Sequence, residues 1–209
     1  MDELLKPFAG LVVKHATLLS MLSDYQAPNF KIHRWLNERK LISLKRGLYA
    51  VHGDGSALSL PLVANHLYGP SYVSMEFMLA HYGLIPERVV QITSVTTRRG
   101  KQFDNALGFF SYQHLPSDYY ALGIDYVKAD ERTGYMVASC EKALCDWLAL
   151  TPNLKIYSTK GLRVLLLDDM RMDDALLNEL DVELIRAISN VGFKSSRLNW
   201  LVRLLREGV

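Results

Sequence analysis

The stretch YQAPNFKIHRWLNERKLISLKRGLYAVH, residues 25–52, carries the clearest local signals in this chain. Ile32, Trp35 and Leu36 fall at helical spacing and are expected to share one inward face. Pro28 suits the first turn of that helix, and Asn29 is expected to cap it. The pattern therefore predicts a helix that begins near Pro28 and presents a polar outer face to its surroundings.

Neighbouring signals extend this helix into a larger motif. Residues 16–22 predict a shorter helix, with a turn at residues 23–27 between the two. Downstream, β-prone runs at residues 41–44 and 48–51 flank Lys45-Arg46-Gly47, which predicts a hairpin with a basic turn. The order helix, turn, helix and basic hairpin is that of a winged helix-turn-helix, which we therefore predict for residues 1–55.

The charge of this stretch suits contact with DNA. Between Tyr25 and His52 there are six cations and one acid, so the local charge is +5 while the whole chain carries only +2 at pH 7. A major groove admits one helix with hydrogen-bonding or cationic side chains, and cations on a wing reach the flanking phosphates. The predicted DNA-binding residues are Lys31, His33, Arg34 and Asn37 on the helix and Lys45 and Arg46 on the wing. A solvated basic helix or a winged-helix protein-interaction module is the alternative.

A second basic cluster lies in the middle of the chain. Residues 92–97 are rich in β-branched side chains and predict a strand, which runs into Arg98, Arg99 and Lys101. These cations are candidates for a further phosphate or RNA contact, or for a surface that neutralises a toxin. A solvated loop leaving a strand explains them equally well.

Composition and termini set the overall class. The chain has 209 residues, 49% of them hydrophobic and 22% charged, as expected of a folded protein. The N-terminus lacks the features of a signal peptide, apolar runs such as residues 164–167 are too short to cross a bilayer, and Cys140 and Cys145 are expected to be buried thiols. These features predict a cytoplasmic protein. A turn-rich linker at residues 53–56 separates the winged helix from an α+β domain at residues 56–209.

The C-terminal part predicts helices after Thr151. Helical periodicity covers residues 160–167 and 181–191, with Asp173 and Asp181 as candidate caps. Between Arg197 and Arg206 an apolar stripe is expected to pack inward while the arginines stay outside. This stripe consists of Leu198, Leu201, Val202 and Leu205, and the outer arginines are Arg197, Arg203 and Arg206.

Several blocks of the sequence resemble one known family. The segment LISLKRGLY at residues 41–49 is similar to the wing of AbiEi-type antitoxins of type IV toxin–antitoxin systems, which act in abortive phage infection. The blocks that agree, in the family's order, are PSYVS at 70–74, GLIP at 83–86, ITSVTTRR at 92–99, FFSY at 109–112 and ASCEKALCD at 138–146. Together they span roughly residues 15–150. One departure is Lys40, since relatives often have glycine near that position.

The resemblance implies a specific function. It predicts a DNA-binding repressor of the protein's own two-gene operon. Since a single winged helix covers only one half-site, we expect cooperative binding to inverted repeats in double-stranded DNA. It also implies an antitoxin that counteracts a nucleotidyltransferase-like toxin without forming a stable complex with it. Neither a cofactor nor a metal ion is expected, and no membrane partner is expected.

An enzymatic role is the alternative that we disfavour. Glu141, Lys142 and Asp146 bring two carboxylates and a lysine together, which suggests a nucleic-acid-processing enzyme with a winged-helix docking domain. However, Ser139 is a candidate N-cap for this segment, and Lys142 and Asp146 stand at the i,i+4 spacing of a helical ion pair. The histidines are scattered and no catalytic motif is present. The sequence therefore predicts a protein that is not an enzyme.

Overall fold

The computed structural model describes residues 2–53 and 58–209. After a 3₁₀ turn at Lys6–Phe8, the first range has the elements β1 (Val12–Lys14), α1 (His15–Met21), α2 (Pro28–Asn37), β2 (Leu41–Lys45) and β3 (Leu48–Val51). Strand β3 lies between β1 and β2 and is antiparallel to both. The two predicted helices and the hairpin are thus confirmed.

Helix α2 begins as its sequence predicts, with one difference. Pro28 occupies the first turn, where its fixed φ suits the helix and its missing N–H costs nothing. The N-cap residue is Ala27, without a side-chain cap, so the expectation that Asn29 caps this helix is wrong. Ile32 and Trp35 are buried, because they face the small core beneath the helix.

The end of α2 is made by a residue other than glycine. Arg39 adopts a left-handed φ of 55°. Its N–H donates to the carbonyl of Leu36 at 3.0 Å, and the N–H of Lys40 donates to that of Trp35 at 2.9 Å. This pair of bonds is a Schellman motif, in which glycine usually takes the left-handed position. Lys40 itself therefore needs no glycine, since Arg39 makes the reversal.

Residues 58–209 form a larger mixed unit. Its elements are α3 (Leu60–Leu67), β4 (Ser71–Val73), α4 (Met75–His81), β5 (Ile92–Thr96), β6 (Lys101–Asn105), β7 (Gly108–His114), α5 (Ser117–Tyr120), β8 (Ile124–Lys128), β9 (Gly134–Ala138), α6 (Cys140–Leu150), α7 (Thr159–Val164), α8 (Asp174–Asn178), α9 (Val182–Asn190) and α10 (Ser195–Glu207). The strands join in the order β6-β7-β5-β4-β9-β8. Pairs β5–β7 and β4–β9 are parallel and the others are antiparallel. The α+β fold class is confirmed.

The two units share apolar packing through the β2–β3 hairpin. In the described residues, Leu41 and Val51 belong to the small core under α2, whereas Leu44 and Leu48 belong to the large core built on the six-stranded sheet. The side-chain amide of Asn105 on β6 also donates to the carbonyl of Leu44 at 3.3 Å. The hairpin is therefore anchored on both sides.

The C-terminal helices follow the prediction, except at Arg197. The apolar stripe of α10 is buried, and Asp173 and Asp181 cap α8 and α9 with their side chains. The guanidinium of Arg197, expected outside, instead donates to the carbonyls of Leu148 at 2.8 Å and Thr151 at 3.0 Å. It turns inward because the last carbonyls of α6 lack helical partners.

Three further expectations concern the chain as a whole. The predicted linker lies outside the described residues apart from Gly53, as does the boundary between residues 55 and 56. Cys140 and Cys145 are both free thiols, Cys145 being buried and Cys140 partly so, and burial raises the pKa of Cys140 to about 12. Within residues 2–53 and 58–209, every helix is too short or too polar to cross a membrane.

Candidate nucleic-acid interface

One face of α2 is exposed along its whole length. Phe30, His33, Arg34 and Asn37 lie on it at the spacing i, i+3, i+4 and i+7, and all four are exposed. We call these four residues the α2 stripe. Three of them were predicted from the sequence as DNA contacts, and Phe30 was not. The stripe presents one arginine, two further hydrogen-bonding side chains and one phenyl ring.

Lys31, expected on the outer face, lies at its edge instead. Its side chain is only 24% exposed, and its Nζ lies 3.0 Å from Oδ2 of Asp2. The same carboxylate oxygen accepts a hydrogen bond from Nε1 of Trp35 at 2.8 Å. Burial opposes the charge on Asp2, but the hydrogen bonds from Trp35 and Lys31 outweigh it and lower the pKa of Asp2. Lys31 is thus drawn towards the N-terminal segment and away from the stripe.

Arg34 shares one carboxylate with a second cation. Its Nε donates to Glu38 at 2.7 Å, and Nζ of Lys40 lies 2.5 Å from the other oxygen of that carboxylate. Hydrogen bonds from Lys40 and Arg34 lower the pKa of Glu38. Three of the six cations counted in this stretch, Lys31 included, are therefore paired within the protein. The charge of +5 overstates what the helix can offer to an anion.

The tip of the hairpin points its two cations in different directions. Gly47 has a left-handed φ of 76° that closes the turn, and its carbonyl accepts the N–H of His15 at 2.9 Å. Arg46 is exposed at this tip. Lys45 is only half-exposed, because its Nζ donates to the carbonyl of Leu67 on α3 at 2.5 Å. Arg46 thus forms no ion pair with any residue that the structure describes, and Lys45 joins the larger unit.

Lys45 meets the second predicted basic cluster there. Its Nζ lies 5.7 Å from the ring centre of Phe103, and Nζ of Lys101 lies 5.0 Å from the same ring. Lys101 and Arg98 also lie 5.6 and 5.7 Å from the ring centre of Tyr68. We call these five residues the junction cluster. It combines three cations with two aromatic rings, at distances typical of cation–π contacts.

The cations of the junction cluster are not neutralised by acids. Among the described residues, Lys45, Arg98 and Lys101 form no ion pair with a carboxylate. Partial burial, and then the charges of Lys101 and Arg98, lower the pKa of Lys45. An anion bound here would reduce this repulsion. Polyanionic phosphate groups are the natural ligand for such an arrangement.

Arg99 stays beside the junction cluster. Its side chain is exposed, and its main-chain carbonyl accepts the hydroxyl of Tyr68 at 3.2 Å. The carbonyl of Arg98 bonds in turn to the ring of His114 at 3.0 Å. The loop that carries these arginines is therefore held against the sheet.

Sequence reasoning missed Tyr68, Phe103 and the meeting of the two basic clusters. Lys45 and Lys101 are 56 positions apart in the chain, so no local pattern connects them. Phe103 is the one apolar residue of β6, so that strand has no alternating pattern that could have marked it.

The residues of the enzymatic alternative lie in a different place. Lys142 and Asp146 form the predicted ion pair at 3.2 Å, but both side chains are fully buried. Glu141 accepts the hydroxyl of Ser139 at 2.8 Å, beside the N-cap that Ser139 supplies to α6. In the described part of the chain, no group of three His, Cys, Asp or Glu side chains could hold a metal ion.

A comparison of the chain with protein-family models and with curated proteins found no match. The resemblance to AbiEi-type antitoxins therefore stays a prediction from the sequence blocks.

Proposed function

We propose that residues 1–55 form a winged helix-turn-helix that binds double-stranded DNA, with residues 56–209 as the domain that follows it. The element order β1, α1, α2, β2, β3 supports this assignment, because a winged helix also places its hairpin directly after its recognition helix. Helix α2 takes the role of that recognition helix. The β2–β3 hairpin takes the role of the wing, with Arg46 at its tip.

The junction cluster is the observation that carries the proposal. It brings Lys45 of the wing together with Arg98 and Lys101 of the larger unit, which extends a cationic surface from one unit onto the other. Cations that lack acidic partners bind phosphates without first breaking an ion pair. The α2 stripe supplies the hydrogen-bonding groups that base edges require. In this proposal the junction cluster binds the phosphates of the DNA backbone, and the α2 stripe contacts the edges of the bases.

The biological role follows from the resemblance in sequence. We propose that the protein represses its own toxin–antitoxin operon by binding inverted repeats, and that it counteracts a nucleotidyltransferase-like toxin without a stable complex. A repressor of this kind acts in the cytoplasm and needs no cofactor. We assign it no enzymatic activity of its own.

Binding to the DNA upstream of its own gene tests the repressor role. The full chain is titrated against a fluorescent duplex and a scrambled duplex between 50 and 200 mM salt, conditions under which phosphate contacts dominate the slope. We expect a specific complex and a steep dependence of affinity on salt. Equal affinity for both duplexes would refute sequence-specific repression.

A pair of charge variants tests the junction cluster itself. The double variant Arg98→Gln, Lys101→Gln is expected to reduce the slope of log affinity against log salt by about 2, since each lost phosphate contact contributes about 0.9. The matched control is Lys155→Gln, Lys160→Gln, which removes two exposed lysines elsewhere. An equal reduction in both variants would show that only net charge matters.

Growth of cells that express the toxin from the neighbouring gene tests the antitoxin role. We expect the full chain to restore growth, and variants of the α2 stripe that no longer bind DNA to restore it equally well. Failure of the wild-type chain to restore growth would refute the antitoxin role and leave the DNA-binding role in place.

A further inference from the structure

Phe30 stands out on the α2 stripe because it is apolar. Its side chain is 75% exposed, in the first turn of the helix, while the other three members of the stripe are polar. Helix formation does not require a phenyl ring at this position, since polar straight-chain residues favour a helix more strongly. A single exposed hydrophobic residue is ordinary on a protein surface. Phe30 differs from such residues in its position, because it lies in the first turn of the helix that we propose to enter the major groove.

The position of Phe30 along the helix fits direct contact with bases. In helix-turn-helix proteins, residues near the N-terminus of the recognition helix approach base edges. Phe30 to Asn37 covers about 10 Å at 1.5 Å per residue. That length corresponds to about three base pairs along the groove. Phe30 would therefore face one end of the short sequence that the stripe reads.

The major groove offers one apolar feature to such a ring. Thymine carries a C5-methyl group there, whereas the other edges present hydrogen-bond donors and acceptors. A phenyl ring cannot satisfy those polar groups and gains from contact with a methyl group. His33, Arg34 and Asn37 flank the ring with groups suited to polar edges, so the stripe is a poor match for an apolar protein surface.

We propose that Phe30 reads the C5-methyl group of a thymine in the operator and is a specificity-determining residue of this protein. The inference rests on the DNA-binding function proposed above and names the base that one side chain selects. Arg34 and Asn37 read neighbouring bases by hydrogen bonds.

Replacing single thymidines of the operator with deoxyuridine tests the proposal, because this change removes only the C5-methyl group of the base. The operator duplex is first located by footprinting of the upstream DNA with the full chain. At one thymine of each half-site we expect the substitution to weaken wild-type binding about fourfold, the value of one buried methyl-sized group. We expect Phe30→Ala to bind the natural operator about tenfold more weakly and to show no such loss at that thymine.

Tyr157→Ala provides the matched control, since Tyr157 is 78% exposed and lies outside the α2 stripe. This variant should keep the full fourfold sensitivity. Because Phe30 is exposed, its alanine variant should keep the wild-type circular dichroism spectrum and unfolding midpoint.

The outcomes separate this inference from the function on which it rests. If wild type and Phe30→Ala both bind the operator specifically and lose the same affinity at each deoxyuridine substitution, the role of Phe30 is overturned and DNA binding stays intact. Absence of any specific complex with wild-type protein refutes DNA binding and the inference with it. Unchanged DNA binding by Phe30→Ala together with lost rescue from the toxin overturns the inference in favour of a protein partner.

Discussion

Replacing Lys142 with methionine removes one half of the ion pair buried in the core of the larger unit. Nζ of Lys142 lies 3.2 Å from Oδ1 of Asp146, and neither side chain is exposed. Nζ also donates to the carbonyl of Tyr119 at 2.7 Å. Oδ2 of Asp146 accepts the hydroxyls of Tyr72 at 2.9 Å and Ser74 at 2.7 Å. The substitution therefore leaves a buried carboxylate with two neutral donors.

The expected loss in the free energy of unfolding comes from the carboxylate of Asp146, which stays buried without its cation. Removing one partner of a buried ion pair costs about 3–5 kcal/mol, because the other charge loses its compensation. Because two hydroxyl groups still donate to this carboxylate, we expect Lys142→Met to lower the free energy of unfolding by about 3 kcal/mol, the lower end of that range. With an m-value of about 2 kcal/mol per molar urea, the unfolding midpoint falls by about 1.5 M. Asp146→Asn is expected to cost a similar amount.

The two variants should respond to pH in opposite directions. Burial raises the pKa of Asp146 and lowers the pKa of Lys142, and loss of the partner extends each shift. In Lys142→Met the folded state binds a proton more tightly than the unfolded chain, so the lost stability returns as pH falls from 7 towards 4. In Asp146→Asn the folded state releases a proton more easily, so stability returns as pH rises towards 10.

Urea unfolding followed by circular dichroism at pH 5, 7 and 9 measures these effects. Glu183→Gln is the control, since it removes an exposed carboxylate that pairs with Arg186 and Arg206, and it should cost less than about 1 kcal/mol. The double variant Lys142→Met, Asp146→Asn should cost less than the sum of its parts. Losses below about 1 kcal/mol in both single variants at pH 7, or parallel pH profiles, would refute this account of the pair.

Three substitutions in the N-terminal unit test its charge pairing and its turn. Glu38→Gln releases Arg34 and Lys40, so DNA affinity should rise and the salt slope should steepen by about 1; an unchanged slope in anisotropy titrations contradicts this. Arg39→Gly should stabilise the protein by about 1 kcal/mol in urea unfolding, because glycine adopts the φ of 55° without strain; lower stability would show that the side chain matters more. Asp2→Ala should cost about 1 kcal/mol at pH 7, and the difference from wild type should shrink only as the pH falls below 3.8 towards the lowered pKa of Asp2 in the folded state.

Several local elements were predictable because their causes lie within a few residues. The start of α2 at Pro28, the caps at Ser139 and Asp181 and the buried stripe of α10 all follow from spacing or from one side chain beside one helix end. Such features depend on hydrogen bonds and faces that the sequence shows directly.

Contacts between distant segments account for the departures at Lys31 and Arg197. Lys31 leaves the outer face because Asp2 pairs with it and its Nζ lies over the ring of Trp35. Arg197 turns inward because the end of α6 lies beside it. The i,i+4 spacing predicted the ion pair between Lys142 and Asp146. The burial of this pair depends on the sheet and helices around it, which the spacing does not show.

Short-range chemistry in the chain is thus enough to specify the helices, the basic hairpin and the cationic residues that make this protein a candidate for DNA binding. Folding alone settles which of those cations are available. Asp2 pairs with Lys31 at 3.0 Å although the two are far apart in the chain, and no periodicity in the sequence predicts that contact. In the same way, two aromatic rings, Tyr68 at the end of α3 and Phe103 on β6, bring Lys45, Arg98 and Lys101 into one surface. The candidate interface therefore depends on these long-range contacts, because the sequence contains its residues but does not show which of them come together.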